Sequence, residues 1–410
     1  MDLVIRNGLL NGRVNDIAIN EGRIIKIGKV IERGEEEIDA RGRLVLPPFF
    51  NMHFHLDSVF TLTRKNSSGT LWEGIEMWKE IREKITEEDV RTRSIKALKW
   101  MAVNGVLYVR TNVDVTEPNL IALKTLLKVK QEVKDFINLQ ITAFPQDGLS
   151  SEENRELLEK AIEMGSDNVG LIPHNEPTRE DGIKSIEYAF SIAEKYGKDI
   201  DGHVDETDDP ESKFLEVIAR ETIKRGFNGR VTAGHVTAMH SWDPYYRLRI
   251  LREVAKSGVT VVPNPLINVT LQGRLDPYPK RRGMSPIRMM RDAGINVALG
   301  HDCIMDPWYP LGIGDMLQVL FMAVHLDQLT EDLSWVMDLI TYNAAKAWRT
   351  AYGIEVGKPG DLLILEAKST TDAIRTMGPP LYVIRKGKII AKSVREQYVN
   401  FGNWEGISFS

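Results

Sequence analysis

His53 and His55 stand two residues apart in the apolar run Phe49-Phe50-Asn51-Met52-His53-Phe54-His55. Residues i and i+2 of a strand share a face, so the two imidazoles project together as a clamp. His203 ends the run Ile200-Asp201-Gly202-His203, and Asp302 closes Gly300-His301-Asp302. Strand neighbours face opposite ways, so only one of His301 and Asp302 points into a shared site. Three imidazoles and a carboxylate form an N3O set that suits zinc or ferrous iron and leaves room for water. A His-X-His pair alone carries little weight, because histidine in a strand is more often a hydrogen-bonded core residue than a ligand. The conjunction carries more. The chain holds 8 histidines, and His53, His55, His174, His203, His235 and His301 all fall at or near the C-terminal end of an apolar run. His174 and His301 read as hydrogen-bonded neighbours, and His240 and His325 as structural or surface residues.

Glu206 follows His203 by three residues, in His203-Val204-Asp205-Glu206. On a continuing strand it would face away, so it belongs where strand has become loop. A carboxylate there can exchange protons with a metal water. The plainer reading of Glu206 or Asp205 is a solvated acidic loop, since Asp208 and Asp209 follow. His235 ends its own run and can contact the same water. Trp308, in Asp306-Pro307-Trp308-Tyr309-Pro310, walls a pocket or packs in the core.

Such residues need a scaffold that brings strand ends together. Eight apolar runs, at 45–55, 106–113, 139–145, 168–174, 200–206, 231–236, 259–266 and 295–302, alternate with amphipathic stretches. The clearest stretches are 89–101, 119–133, 154–164, 183–196 and 212–225. This pattern predicts an α/β fold, a (β/α)8 TIM barrel whose strand C-termini converge on one mouth. An open doubly wound sheet is the alternative. It wants a Gly-rich phosphate turn after its first strand, where this chain has Asn51 to Asp57. Residues 1–44 alternate in the manner of strands and break at Asn-Gly and Glu-Gly turns. The tail repeats that texture. The two ends are expected to pair into a small β-sandwich, with 1–46 and 356–410 flanking a catalytic barrel at 47–355.

Composition excludes several classes. With 53 Lys+Arg against 58 Asp+Glu the net charge is −5, too small and too evenly spread for nucleic acid or an anionic membrane. A single cysteine, Cys303, rules out an intrachain disulfide framework and a cysteine-rich zinc module. No apolar run reaches the roughly 18 residues of a membrane span. The start MDLVIRNGLL lacks the features of a signal peptide. The expected setting is the cytoplasm.

Longer motifs extend beyond the metal residues. SGTLWEGIEMWKE, ALKWMAVNGV with VRTNVDV, AFPQDG, HVDETDD, GHVTAMHS, NPLINVTLQGRLDPYPKRRG and GHDCIMDPWYPLG occur in that order along nearly the whole chain. Together they resemble the amidohydrolase superfamily and, within it, the bacterial cytosine deaminases, the last two motifs being the most specific. The resemblance implies a metal-dependent aminohydrolase that converts an aminated heterocycle and water to an oxo-heterocycle and ammonia. It implies one divalent ion per chain, Fe2+ or Zn2+, on His53, His55, His203 and Asp302. It implies Glu206 as acid and base, and His235 and Asp302 as the groups orienting the attacking water. Gln146, in FPQDG, matches the glutamine that bonds the ring amide. Trp308 matches the pocket tryptophan, and the backbone around Leu71 matches the loop that contacts the base. A small nucleobase-like substrate and a homo-oligomer are implied as well.

Two positions depart from the family pattern. Asn112 stands in VRTNVDV where the family has histidine, and Cys303 follows Asp302 where a second aspartate is common. The leading expectation is deamination of cytosine or a close analogue, 5-methylcytosine among them, with Cys303 facing the ring. The alternative keeps the metal and changes the ring to an isoguanine-type purine, a triazine or a creatinine-like ring. Two-metal relatives that open cyclic amides use a lysine near the end of strand four, and DNVGLIPHNE has none. A non-catalytic scaffold would be expected to lose ligands or the acid/base first, and this chain keeps them.

Overall fold

Alternating apolar residues commit the start of the chain to extended backbone. A computed structural model describes residues 1–409. β1 (Leu3–Leu10), β2 (Arg13–Asn20) and β3 (Arg23–Gly28) form a meander. It turns at Asn11-Gly12 and Glu21-Gly22, all four residues with positive φ, as two-residue hairpin loops demand. β4 (Glu36–Asp39) adds parallel to β1 and gives the order β3-β2-β1-β4. β5 (Val45–Leu46) joins a different sheet. Pro47 and Pro48 lack an N–H, so the expected run 45–55 splits there, and β6 (Phe49–Phe54) opens the barrel.

β6 is followed by β7 (Val106–Asp114), β8 (Asn138–Phe144), β9 (Asn168–Val169), β10 (Asp199–Val204), β11 (Val231–His235) and β12 (Thr260–Val262). They lie side by side in chain order, all parallel. Helices cover the outside: α1 (Leu71–Arg82) and α2 (Glu87–Val103) after β6, α3 (Ile121–Val133), α4 (Glu152–Glu163), α5 (Arg179–Tyr196), α6 (Phe214–Arg225) and α7 (Pro244–Ser257) after the next five strands, and α8 (Pro265–Leu271) after β12. Thr86, Ser151 and Thr178 cap α2, α4 and α5, each accepting from the backbone N–H three residues on. All nine residues of β7 are buried, as a parallel strand covered on both faces requires.

Three runs are shorter than expected. β9 pairs over only two residues before a 3₁₀ turn at Pro173–Asn175, and β12 gives way to α8 at Asn264-Pro265. The eighth run, 295–302, forms no continuous strand. It touches β12 through Val297 with Val261 and β6 through Asp302 with Phe54. Ala298 N donates to Val261 O at 3.0 Å, and Asp302 N donates to His53 O at 2.9 Å. These contacts close the barrel, with the partner changing midway. Gly300 sits at the change. A Cβ there would strike Asn264 Oδ1 and the His53 side chain, so only glycine lets three backbones meet.

After α9 (Ile287–Asp292), α10 (Met316–Leu326) and α11 (Tyr342–Trp348) come β13 (Leu362–Leu365), α12 (Thr370–Thr376), β14 (Pro380–Arg385) and β15 (Lys388–Lys392). The second sheet has the order β15-β14-β13-β5. The two sheets share a core in which Leu3, Ile5, Ile17, Ile19, Val45, Leu362, Ile364 and Ile384 are all buried. Each such side chain contributes roughly 1.5–3 kcal/mol. The ends of the chain therefore form the expected sandwich, each end mostly building its own sheet, with β5 crossing over. A final hairpin, β16 (Tyr398–Asn400) and β17 (Trp404–Gly406), was not anticipated. No helix among the described residues is long and apolar enough to cross a membrane.

Gly300→Ala is expected to destabilise the barrel by roughly 1–3 kcal/mol, the usual cost of overpacking. A thermal melt checks it; an unchanged Tm would mean that the closure tolerates a side chain at this position.

Candidate active site

The strand ends deliver their polar residues to one mouth. His53 and His55 come from the end of β6, His203 from β10, His235 from the last position of β11, and Asp302 from the bridge that closes the barrel. All five are buried, as is Glu206. His203 Nε2 lies 3.1 Å from His53 Nε2 and 3.0 Å from His55 Nε2. His235 Nε2 lies 3.1 Å from His53 Nε2. Asp302 Oδ1 is 3.8 Å from His53 Nε2 and 3.5 Å from His55 Nε2, and Asp302 Oδ2 is 3.7 Å from His235 Nε2.

One ring nitrogen facing two others cannot hydrogen-bond both well, because a neutral imidazole has one donor and one acceptor. Burial pulls the pKa of His53, His203 and His235 well below the ordinary value, and that of His55 to about 3. The rings are therefore neutral, with lone pairs converging beside a carboxylate, and this donor set fits a divalent cation. His235 Nε2 lies as close to His53 Nε2 as His203 Nε2 does.

The surroundings hold the rings. Asn112 Nδ2 lies 3.4 Å from His53 Nδ1, while Asn112 Oδ1 is buried without a partner. Turning the amide by 180° exchanges these atoms, lets His53 Nδ1–H donate, and leaves Nε2 as a bare lone pair. Asn112 can thus support the site in place of the family histidine. Asn268 Nδ2 lies 2.9 Å from His235 Nδ1, and Asn264 Nδ2 lies 3.2 Å from it. Sequence reasoning missed both residues, although NPLIN contains them.

Glu206 does sit beyond the strand. β10 ends at Val204, and Asp205 takes a φ of 50°. Glu206 Oε1 then lies 3.3 Å from His235 Nδ1. Burial first, and the neighbouring Asp302 charge second, push its pKa well above the usual carboxylate range. Asp205 is a correction to the reading of a solvated acidic loop. It is buried and accepts from Ser212 Oγ, Phe214 N and Leu215 N, tying down the start of α6. His174 is another correction, since neither of its ring nitrogens has a hydrogen-bond partner. His301 faces away from Asp302 and accepts from Gly314 N at 3.2 Å. His240 pairs with Asp208 at 3.0 Å, and His325 meets Phe321 O at 2.7 Å.

Above the cluster lies a pocket lined by Gln146, Leu71, Trp308 and Cys303, with Phe144, Ile172, Ile267 and Leu271 as its apolar sides. Trp308 Nε1 donates to Leu71 O at 3.3 Å. Gly74 of α1 packs against the Trp308 ring so closely that a Cβ would overlap it. Cys303 Sγ lies 3.5 Å from Asp302 Oδ1. Burial first, and the charges of Asp302 and Asp306 next, raise its pKa well above the ordinary thiol value, so it is a neutral thiol.

The sequence profile of the Amidohydrolase family matches residues 74–391. The chain belongs to that family. It is an enzyme that cleaves C–N bonds with water. The fold is similar to 5-methylcytosine deaminase from Klebsiella pneumoniae bound to 5-fluorocytosine, with a TM-score of 0.94 and 42% identity over 98% of this chain and 100% of that one. N-isopropylammelide isopropyl amidohydrolase of Pseudomonas sp. (strain ADP) is 32% identical, over 95% of this chain and 97% of its own. Pterin deaminase of Rhizobium rhizogenes is 30% identical, over 87% of this chain and 82% of its own. The likeness read from the motifs is borne out.

This amidohydrolase bends its backbone to aim the cluster. Asp205, His235, Val236 and Asp302 have φ of 50°, 67°, 52° and 73°. A non-glycine residue there costs on the order of 1–3 kcal/mol, which the surrounding barrel must offset. His203→Ala is expected to lower bound metal well below one ion per chain while the fold persists. Elemental analysis with circular dichroism checks this; full occupancy in the variant removes His203 from the ligand set.

Proposed function

We infer that the chain deaminates a 4-aminopyrimidine, cytosine or a close analogue such as 5-methylcytosine. The observation that carries this is the convergence of Glu206, Gln146 and Cys303 on one small pocket directly above the imidazole–carboxylate cluster. The full-length likeness to a 5-methylcytosine deaminase supports it. His53, His55, His203 and Asp302 would hold one divalent ion, Fe2+ or Zn2+. When bound, that ion activates water at neutral pH.

The protein's own groups do the rest. The Glu206 carboxyl, its pKa raised, can carry a proton at neutral pH. It gives that proton to ring N3, which makes C4 attackable, then recovers one from the water and passes it to the amine. A C4–O bond forms, the C4–N bond breaks and ammonia leaves. His235, held by Asn264 and Asn268, orients the water with Asp302. Gln146 offers a donor and an acceptor to the N–H/C=O edge of the ring. Trp308 and the Leu71 backbone enclose the ring. Cys303 presents a small, weakly polar surface where an aspartate would bring a hydrated charge, leaving room for a methyl at C5. A triazine or pterin ring is the second reading, favoured by the likeness to the N-isopropylammelide and pterin enzymes.

Glu206→Gln is expected to keep its metal and lose roughly 10²–10⁴-fold in kcat, measured as ammonia release from cytosine and 5-methylcytosine. Retention of more than about a tenth of the rate would place the proton shuttle elsewhere, and Asp205, committed to α6, is not available for it. Cys303→Asp is expected to lower the ratio of kcat/KM for 5-methylcytosine over cytosine by roughly 10–200-fold. An unchanged ratio in a variant that still binds metal would take Cys303 out of specificity.

A further inference from the structure

A second cavity, of about 540 Å³, shares Trp308 with the catalytic pocket. Its walls are the loop from Leu62 to Gly69, the segment from Asp306 to Pro310, and Thr270 and Arg274 at the end of α8. Three cations line it, Arg64, Lys65 and Arg274, against a single acid, Asp306.

The charges do not cancel. Arg64 is matched by Glu80 at 3.2 Å and Glu73 at 3.7 Å. Asp306 is turned inward, with Oδ1 accepting from Trp308 N and Tyr309 N at 3.0 Å each and Oδ2 from Ser58 Oγ at 3.1 Å. Lys65 and Arg274 meet no carboxylate among the described residues. Arg274, though exposed, is tethered at one atom. Its Nε donates to Thr270 O at 2.8 Å, and neither terminal nitrogen has a hydrogen-bond partner among the described residues. Its guanidinium lies against Gly69, whose φ is 66°, so closely that a Cβ there would come within 2.6 Å of Nη2. A planar guanidinium fork and an ammonium group, both exposed and lining one cavity without a carboxylate partner, are donors that suit an oxyanion.

We propose that this cavity binds an oxyanion, a phosphate or a carboxylate, between Lys65 and Arg274. The bound anion joins the loop from Leu62 to Gly69 to the end of α8. That loop runs straight into Leu71, whose carbonyl holds the Trp308 indole. Occupancy therefore steadies the wall of the catalytic pocket. The oxyanion has two sources: free inorganic phosphate, or a phosphate or carboxylate arm on the aminated ring itself.

Binding of inorganic phosphate to the metal-loaded, full-length protein, measured by calorimetry at low ionic strength, tests the site without reference to turnover. Saturable binding of one phosphate per chain is expected, weakened about tenfold or more in Arg274→Gln and in Lys65→Ala, since a hydrogen bond to a charged group is lost in each. Lys65 is exposed, so its variant keeps the fold even if the Arg274 contact with Gly69 proves structural. Absence of saturable binding, or equal affinity in wild type and both variants, overturns the proposal and leaves the deaminase reading untouched. Turnover then separates the sources. A lower KM for the free base in phosphate points to the free anion, and competition by phosphate against a phosphorylated or carboxylated ring points to an arm of the substrate.

Discussion

Four neutral imidazoles and two carboxyls share a space nearly closed to water, and that crowding is tolerable only with positive charge among them. Lone pairs about 3 Å apart repel, and buried carboxyls without a countercharge give up ionisation. A dication reverses both penalties. The rest of the barrel is arranged around this. Asn112, Asn264 and Asn268 fix the rings from behind, and strained backbone at His235 and Asp302 turns them inward. The run that carries Asp302 gives up strand regularity to reach β6.

Much of this was legible in the residues because alternation is a strict rule. Two histidines at i and i+2 must share a face, as His53 and His55 do; His301 and Asp302 also part, but there the positive φ of Asp302 turns the chain where no continuous strand forms. The eight runs marked the barrel for another reason, since parallel strands covered on both faces are apolar throughout. What alternation does not encode is where a strand stops pairing. The fourth and seventh runs stop pairing early, after Val169 and Val262, and the eighth pairs one residue at a time around Gly300. Side-chain roles set by loop geometry were hidden too. Asp205 and Glu206 are adjacent and chemically alike, yet a single positive φ sends one to cap α6 and the other to the pocket. Asn264 and Asn268 gain meaning only from the orientation of the His235 ring.

The pocket above the cluster rests on few contacts. One of its walls is a tryptophan held from two directions, by the Leu71 carbonyl and by the bare backbone of Gly74. Beside that wall, Cys303 presents a buried, neutral thiol to the pocket.

β5 has a consequence for how the chain assembles. Val45 pairs with Ile364, so the second sheet needs residues from both ends of the molecule. During synthesis β1 to β4 can pair as soon as they emerge, while β5 must wait with an open edge until the barrel has been made. Contacts so distant in sequence are slow to form, because the intervening loop must be closed first. The sandwich is thus completed last, and the seam at β5 and β13 acts as the clasp that records a finished barrel.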